Sequence, residues 1–433
     1  MATNGATTSG ELRAHNRVRL LRAVHDCGAT LTRSRLTRDL ELARGTASVL
    51  VAELADSALL HEEPAAEHGR GRPTQVPGPH PHGPIALAVD VREDAWEVTE
   101  CSLGGQATVL EVRRHDGTPE GAFGPLGEVL RGQVDRLGPR VVGVGLAVAG
   151  PVRAGGLVDV AHLDWRSVDV PALLDLPPLG PPPEGGRTAY GAPPAGDGTT
   201  HDTPPAGHGA AHGMPLVGND TAFAALAEAR RGVLRGVRVG LHLHVDFDLG
   251  GVLVVDGRPL AGAGGIGAEF GHMPLTGGAE PCACGARGCW GREVGTNALL
   301  RRLGLAHGGG RGRDRAERVF ADAAAGDAEA ARALAANARA LGTGVAALVN
   351  AHDPEVVSLS GFGVDLHARA LAALTEPFGD GLMAIRRERP PRLASSTLGW
   401  RGALIGAMES VFDAFLTVEG VQAWRRARTA APA

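Results

Sequence analysis

The sequence predicts an α/β protein that carries a small helical head, and three observations lead there. Residues 11 to 80 place apolar side chains at helical spacing and then change to turn signals. From Ile85 onward, strand-like apolar runs alternate with helical stretches. A Pro/Gly/Ala/His-rich stretch over residues 176–213 shows no periodicity and reads as a disordered surface insertion, with too little apolar content to offset ordering entropy. The 433 residues exceed one compact core and suit two or three domains.

In the head, Leu12, Leu20, Leu21 and Val24 fit one face of a first helix. Thr32 can cap a short second helix that turns Leu36 and Leu40 inward. Ala47, Leu50, Val51 and Leu54, at i, i+3, i+4 and i+7, mark a third helix. A strand begins at Ala58-Leu59-Leu60, and Glu63 to Gly71 turns back toward Thr74-Gln75-Val76 as a hairpin. Three short helices and a wing make a winged helix-turn-helix over residues 11–77. Pro77 to Pro84 reads as a stiff linker.

The core pattern continues with strands at Ile85 to Val91, Trp96 to Leu103 and Thr108 to Arg113, a helix near Phe123 to Leu137, and a buried strand from Val141 to Val148. Beyond the insertion come Leu216-Val217, a helix from Thr221 to Arg231, strands at Gly240 to Val245 and Val252 to Val255, and an Ala-rich helix over 315–349. Val356 to Ser360 is a further strand and Leu398 to Phe412 a closing helix. No sustained internal repeat is visible.

A net charge of -5 gives no global basic footprint, so nucleic-acid binding would need a local patch. All 43 basic side chains are Arg, none Lys. Two of the five Cys stand alone and three cluster, which argues for a metal site in a reducing compartment rather than a disulfide framework. No apolar run approaches the ~18 residues of a membrane span, and the first ten residues lack a signal-peptide pattern. The expectation is a cytoplasmic protein without membrane contact.

The strongest chemical signal is His272 followed by Cys282, Cys284 and Cys289. Three thiolates and one imidazole suit tetrahedral Zn2+, and a closed set of four leaves no position for water, so the implied role is structural. The alternative is three reduced thiols in a loop, with His272 elsewhere. Next come Glu269-Phe270-Gly271-His272 behind a Gly-rich run, and Asn219-Asp220 opening a small-residue helix, where the pair can also simply cap that helix.

Taken in order, Asn219-Asp220, Glu269-x-Gly271-His272 and the C-x-C-G-x-x-G-C run resemble the ROK (repressor, open reading frame, kinase) family. The strand leading into Ala149-Gly150-Pro151 and the segment Leu163-Asp164-Trp165 match it too, and the similarity runs from about residue 11 to 415 outside the insertion. The resemblance implies a two-lobed actin-like ATPase core: a first lobe over 85–175, a second over 214–397, and a C-terminal helix over 398–425 returning to the first. It also implies that Asn219, Asp220, Glu269 and His272 bind the hydroxyls of a sugar effector, Asp220 being the position of the general base in the kinases.

Three departures from the family pattern bear on function. The Glu expected two residues after the last Cys is Gly291, with Glu293 two residues further on. Where the kinases carry an Asp-x-Gly-Gly-Thr phosphate loop, this chain has Asp90-Val91-Arg92-Glu93-Asp94, and the second loop reads Asp246-Phe247-Asp248. Carboxylates at both places oppose a polyphosphate, so the expectation is a regulator and not an enzyme. Gly361-Phe362-Gly363 keeps part of a nucleotide-side turn or serves packing.

The third helix of a helix-turn-helix enters the major groove of double-stranded DNA, placing Arg44, Thr46 and Ser48 at the bases. Family members often carry Ser at Ala43 and Arg at Val49; their absence implies a weaker cap and one fewer phosphate contact. Arg33 and Arg35 are candidate backbone clamps, and Arg38 reads as a solvated face. Arg70 and Arg72 either follow a minor groove or belong to an ordinary linker turn. The resulting expectation is a homodimeric or homotetrameric repressor on a (pseudo)palindromic operator, the alternatives being a sugar kinase of the same family and a ligand-independent regulator with a vestigial sugar pocket.

Overall fold

In the computed structural model, which describes residues 9–65, 74–179, 213–267, 269–275, 277–278, 280–308 and 312–430, the head opens with α1 (Ser9–Asp26), α2 (Arg33–Asp39) and α3 (Arg44–Asp56). Thr32 caps α2 by accepting from the Arg35 N–H, whereas Ala43 leaves α3 without a side-chain cap. Leu20, Leu21, Val24, Leu36, Leu50 and Leu54 are buried together. Leu12 departs from expectation and is 57% exposed. At 100° per residue it lies roughly 125° from the centre of the Leu20-Leu21-Val24 stripe, so it points away from the head core.

β1 (Leu60–Pro64) and β2 (Gln75–Pro79) pair antiparallel, Leu60 opposite Pro79. The ribbon therefore takes in Pro77 to Pro79, which the sequence assigns to a linker; a two-stranded ribbon is all edge, where a missing proline N–H is tolerated. The wing tip, with Arg70 and Arg72, falls outside the described residues.

The first lobe comprises β3 (Ile85–Val91), β4 (Ala95–Ser102), β5 (Ala107–Arg114), α4 (Pro119–Leu137), β6 (Val141–Val148), β7 (Val152–Arg153), β8 (Leu157–Val160), β9 (Trp165–Asp169), α5 (Val170–Leu174) and β10 (Leu216–Asn219). Of the 176–213 insertion, residues 180–212 fall outside the described residues, and its two ends are joined by the Leu179 N–H donating to the Gly213 carbonyl at 3.0 Å. β10 pairs in parallel with β6, so the chain leaves the first sheet after Asn219 and not at residue 214.

The second lobe follows with α6 (Asp220–Arg231), β11 (Val239–Val245), β12 (Leu249–Val255), β13 (Arg258–Pro259), α7 (Thr296–Arg302), α8 (Gly312–Ala324), α9 (Ala328–His352), β14 (Val356–Gly361), α10 (Phe362–Arg369), α11 (Leu371–Gly381), α12 (Ala384–Glu388) and β15 (Arg392–Ser395). The stretch read as one Ala-rich helix is two, because Gly326 turns with φ +101° and Asp327 caps α9. The C-terminal segment is also two helices, α13 (Gly402–Phe415) and α14 (Val418–Ala430), with Thr417 Oγ1 accepting from Gly420 N–H at the break.

The two five-stranded sheets share one topology, β5-β4-β3-β6-β10 and β13-β12-β11-β14-β15, each an antiparallel meander extended by two parallel strands. The sequence shows no matching repeat, since each sheet asks only for apolar patterning and not for particular side chains. The head is docked rather than tethered: Leu20, Leu50 and Leu54 share one core cluster with Cys101, Phe412 and Trp424. Trp424 Nε1 donates to the Ser57 carbonyl at 2.8 Å, fixing α14 under the head. Among the described residues no helix is long and apolar enough to cross a membrane.

Candidate functional site

β10 runs out at the lobe junction and hands the chain to α6. Asn219 caps that helix, accepting from Ala222 N–H at 3.0 Å, while its Nδ2 donates to the Gly150 carbonyl at 3.0 Å. Capping thus occurs, and it leaves Asp220 at the first helical position. There its Oδ1 accepts from its neighbour Thr221, from the backbone N–H at 2.6 Å and from the hydroxyl at 3.2 Å. Asn219 and Glu269 line one cavity together with Gly250, Gly251 and Pro151. Burial pushes the Glu269 carboxyl up to about 7, and the nearby Asp220 adds to the rise. Burial raises Asp220 as well, against the opposing charge of His244.

His272 follows Glu269 in a single tight turn, its N–H donating to the Glu269 carbonyl at 3.0 Å. Its imidazole and the thiols of Cys282, Cys284 and Cys289 bring four ligand atoms within 4.8 Å of one another. The Cys282 Sγ to His272 Nδ1 distance is 3.7 Å, and Cys284 Sγ to Cys289 Sγ is 3.8 Å. A tetrahedron with ~2.3 Å metal–sulfur bonds has S–S edges of about 3.8 Å, so the spacing is that of donors around one metal ion. Gly285 and Gly288 take φ +96° and +67°, bending the loop so that its thiols face inward. Trp290 N–H donates to the Met273 carbonyl at 2.8 Å, tying the loop to the histidine turn. Because Nδ1 faces the sulfurs, His272 keeps Nε2 for a second partner.

Gly291 adds no side chain to the cavity, and a Cβ there would approach the Gly271 carbonyl to 3.2 Å. Glu293 does not substitute for the missing carboxylate, since it pairs with Arg302.

On the opposite side of the cleft, the β11–β12 turn carries Asp246, whose two carboxylate oxygens are gripped by Arg313 of α8, Nε at 3.0 Å. The Arg313 guanidinium lies 4.2 Å from the Trp400 ring centroid and 5.5 Å from that of Phe247. Burial would weaken its charge, but Asp246 foremost, with Asp90 and Asp94, holds its pKa above the ordinary value. Asp90, at the end of β3, receives Arg92 Nη1 at 3.3 Å, and burial pushes its carboxyl up to about 6. Gly361 has φ +61°, and a Cβ there would stand 2.3 Å from the Val245 carbonyl; its glycine is required for packing. Asp246 and Asp90 are therefore partly neutralised from within, whereas Asp248 has no ion pair among the described residues and burial raises its carboxyl. Arg313 and Trp400 were missed by sequence reasoning because one of three Arg in a polar helix and a Trp after a Leu-Gly step carry no spacing signal.

In the head, Arg44, Thr46, Ser48 and Val49 are each exposed on α3. Arg33 Nη1 pairs with Glu62 of β1 at 2.8 Å and Arg35 Nε with Asp39 at 2.8 Å, whereas Arg38 and Arg44 form no ion pair among the described residues. Residues 9–65 hold eight Arg against eight Asp and Glu.

Residues 212–413 match the ROK family. The Streptomyces coelicolor glucokinase is 32% identical over 83 residues, 19% of this chain and 26% of that protein, so the chain spans about a quarter of that relative's length. The Aeropyrum pernix glucokinase is 27% identical over 310 residues, 67% of this chain and 85% of that protein. The crystal structure of a ROK family transcriptional regulator, a homologue of the Escherichia coli Mlc protein, shares the fold with TM-score 0.65 and 20% identity, covering 95% of this chain and 99% of that one.

Proposed function

The chain carries a ROK family domain, and from that premise we propose that it is a DNA-binding transcriptional regulator, a repressor, whose core senses a sugar or sugar-derived effector. The observation that carries this reading is Arg313, seated on Asp246 over Trp400 where the nucleotide side of a kinase would be. Arg313 already occupies both oxygens of Asp246 and the face of Trp400, so neither group stands open to a bound metal ion or a base. Across the cleft, Asn219 and Glu269 line the cavity, and Asp220 and His272 stand near them in the chain without lining it; in this reading the four offer acceptors and donors to vicinal hydroxyls.

Zn2+ held by His272, Cys282, Cys284 and Cys289 supplies a structural clamp in this reading, positioning the imidazole for the effector. The exposed side of α3, with Arg44, Thr46 and Ser48, enters the major groove of a palindromic operator read by a homodimer or homotetramer. Arg33 and Arg35 contact the backbone after exchanging their carboxylate partners for phosphate, and Arg70 and Arg72 follow the adjacent minor groove.

Selection of bound fragments from random and genomic DNA by the purified full-length protein tests the DNA reading. Enrichment of an inverted repeat is expected, and unselective recovery at low salt sinks it. For the effector, glucose and N-acetylglucosamine are expected to raise the melting temperature of the wild type and not of Asp220→Ala.

The second reading is a sugar kinase, favoured by the similarity to glucokinases. Glucose-dependent ADP release by the pure protein would establish it; the expected result is none.

A further inference from the structure

We infer that α6 is a rigid coupling bar between the effector pocket and the head, with Arg231, Glu409 and His25 as its joint. This rests on the reading of Asn219 and Asp220 as the effector end of the helix.

The helix spans the two places directly. It starts at Asp220 in the cleft and ends at Arg231, eleven residues and about 17 Å further on. Between them, Thr221, Phe223 and every residue from Ala224 to Ala229 are buried. Its partner α13 meets it backbone to backbone: a Cβ on Gly406 would lie 1.8 Å from the Phe223 carbonyl, and one on Gly402 3.3 Å from Ala224 Cβ. With no side-chain layer between the helices, there is little slack to absorb a shift of α6, and motion passes along the pair.

At its far end α6 delivers two arginines to the head. Arg230 Nη2 donates to Asp413 at 2.9 Å, and the same carboxylate binds Arg22 of α1. Arg231 pairs with Glu409 and donates to the His25 carbonyl at 3.4 Å and the Gly104 carbonyl at 3.3 Å. His25 and Glu409 are 0% and 1% exposed. His25 Nδ1 accepts from Gly104 N–H at 3.0 Å, and His25 Nε2 lies 3.1 Å from Glu409 Oε2 and 3.0 Å from Arg231 Nη2, so the ring meets both members of the pair. Burial alone would raise the Glu409 carboxyl, but His25 and Arg231 outweigh it and hold it below its ordinary range. The turn between β4 and β5 is shaped for this joint: a Cβ on Gly105 would stand 2.8 Å from Arg231 Cζ.

A buried charge network of this kind tolerates little rearrangement, since separating any member leaves a charge without a partner in a low dielectric. α1 is therefore registered to the end of α6, and a displacement at Asp220 changes the seat of the head.

The test uses the full-length protein with neither sugar nor DNA present, so its failure is distinct from failure of the regulator reading. Hydrogen exchange is followed in peptides covering Leu20 to Gly28. Asp220→Ala is compared in the native background and in the double variant Arg231→Met with Glu409→Gln, which neutralises the pair together. Asp220→Ala is expected to change exchange at α1 at least threefold in the native background and to have no effect once the joint is neutralised. A purely structural role for Arg231 would loosen α1 but leave the Asp220 effect in place. If the double variant does not fold, Arg231→Lys, which keeps the charge and loses the fork, is expected to transmit less than half the native change. Equal transmission in either altered background, or no response of α1 to Asp220→Ala in the native one, overturns the inference.

Discussion

The two sides of the interlobe cleft use their carboxylates in opposite ways. On the pocket side, Asp220 and Glu269 form no ion pair among the described residues, and burial lifts both above the usual carboxylate range. On the far side, Asp246 is gripped by Arg313, while Asp90 meets Arg92 and is still lifted by burial to about 6, so Asp246 alone carries the contrast. The difference separates a site with polar capacity to spare for a ligand from one that has satisfied itself. A shared fold with kinases does not make both halves of the cleft available, because a charge neutralised internally is no longer offered to a substrate.

Metal removal should break this contrast most severely. Chelation under reducing conditions is expected to release the loop around Cys282 to Cys289, lower stability by more than about 5 kcal/mol, and abolish the thermal response to glucose. Exchange around Asp246 and Arg313 should stay unchanged. If the sugar response survives in protein shown to be metal-free, the pocket does not depend on the clamp.

Arg313→Ala attacks the other side. It leaves Asp246 without its partner and opens space against Trp400, at an expected cost of about 3 kcal/mol, discounted for the partial exposure of the pair. Arg313→Met with Asp246→Asn should recover most of that loss in chemical denaturation. A single variant as stable as the wild type would mean the pair contributes nothing to the closed arrangement.

Asp90 sharpens the comparison through pH. Its folded-state pKa of about 6 lies above the unfolded value of 3.8, so the native state disfavours the charged form. The penalty is absent below about pH 4, grows between there and pH 6, and is complete above it. Asp90→Asn should thus gain about 2 kcal/mol at pH 7.5, after allowing for the weakened Arg92 contact, and nothing at pH 4. A pH-independent gain would show that burial of this carboxylate is not what limits stability.

Gly291→Glu has the smallest expected effect. The Gly271 carbonyl must give way by a few tenths of an ångström, at a cost of under about 1 kcal/mol. The new carboxylate should strengthen the glucose response by a few degrees in thermal shift, and a weaker response would place the side chain outside the pocket.

The helix stripes of the head, the α/β alternation of the core and the sulfur cluster were legible because each is a local pattern. Leu50 and Leu54 sit four residues apart on α3, and Cys282, Cys284 and Cys289 are close in sequence before they are close in space. The breaks at Gly326 and Thr417 were harder to see, since an Ala-rich or apolar run on both sides continues the same period.

What the sequence determined on its own was the set of elements and the residue types that a metal or a hydroxyl-rich ligand requires. Only the tertiary structure decided that His272 presents Nδ1 to the sulfurs, that Arg313 closes on Asp246 from 67 residues away, and that His25 of the head meets Glu409 from 384 residues away. Such contacts join side chains with no shared periodicity. Their partners are selected by burial and by the cost of leaving a charge alone, and neither quantity exists until the lobes and the head have packed.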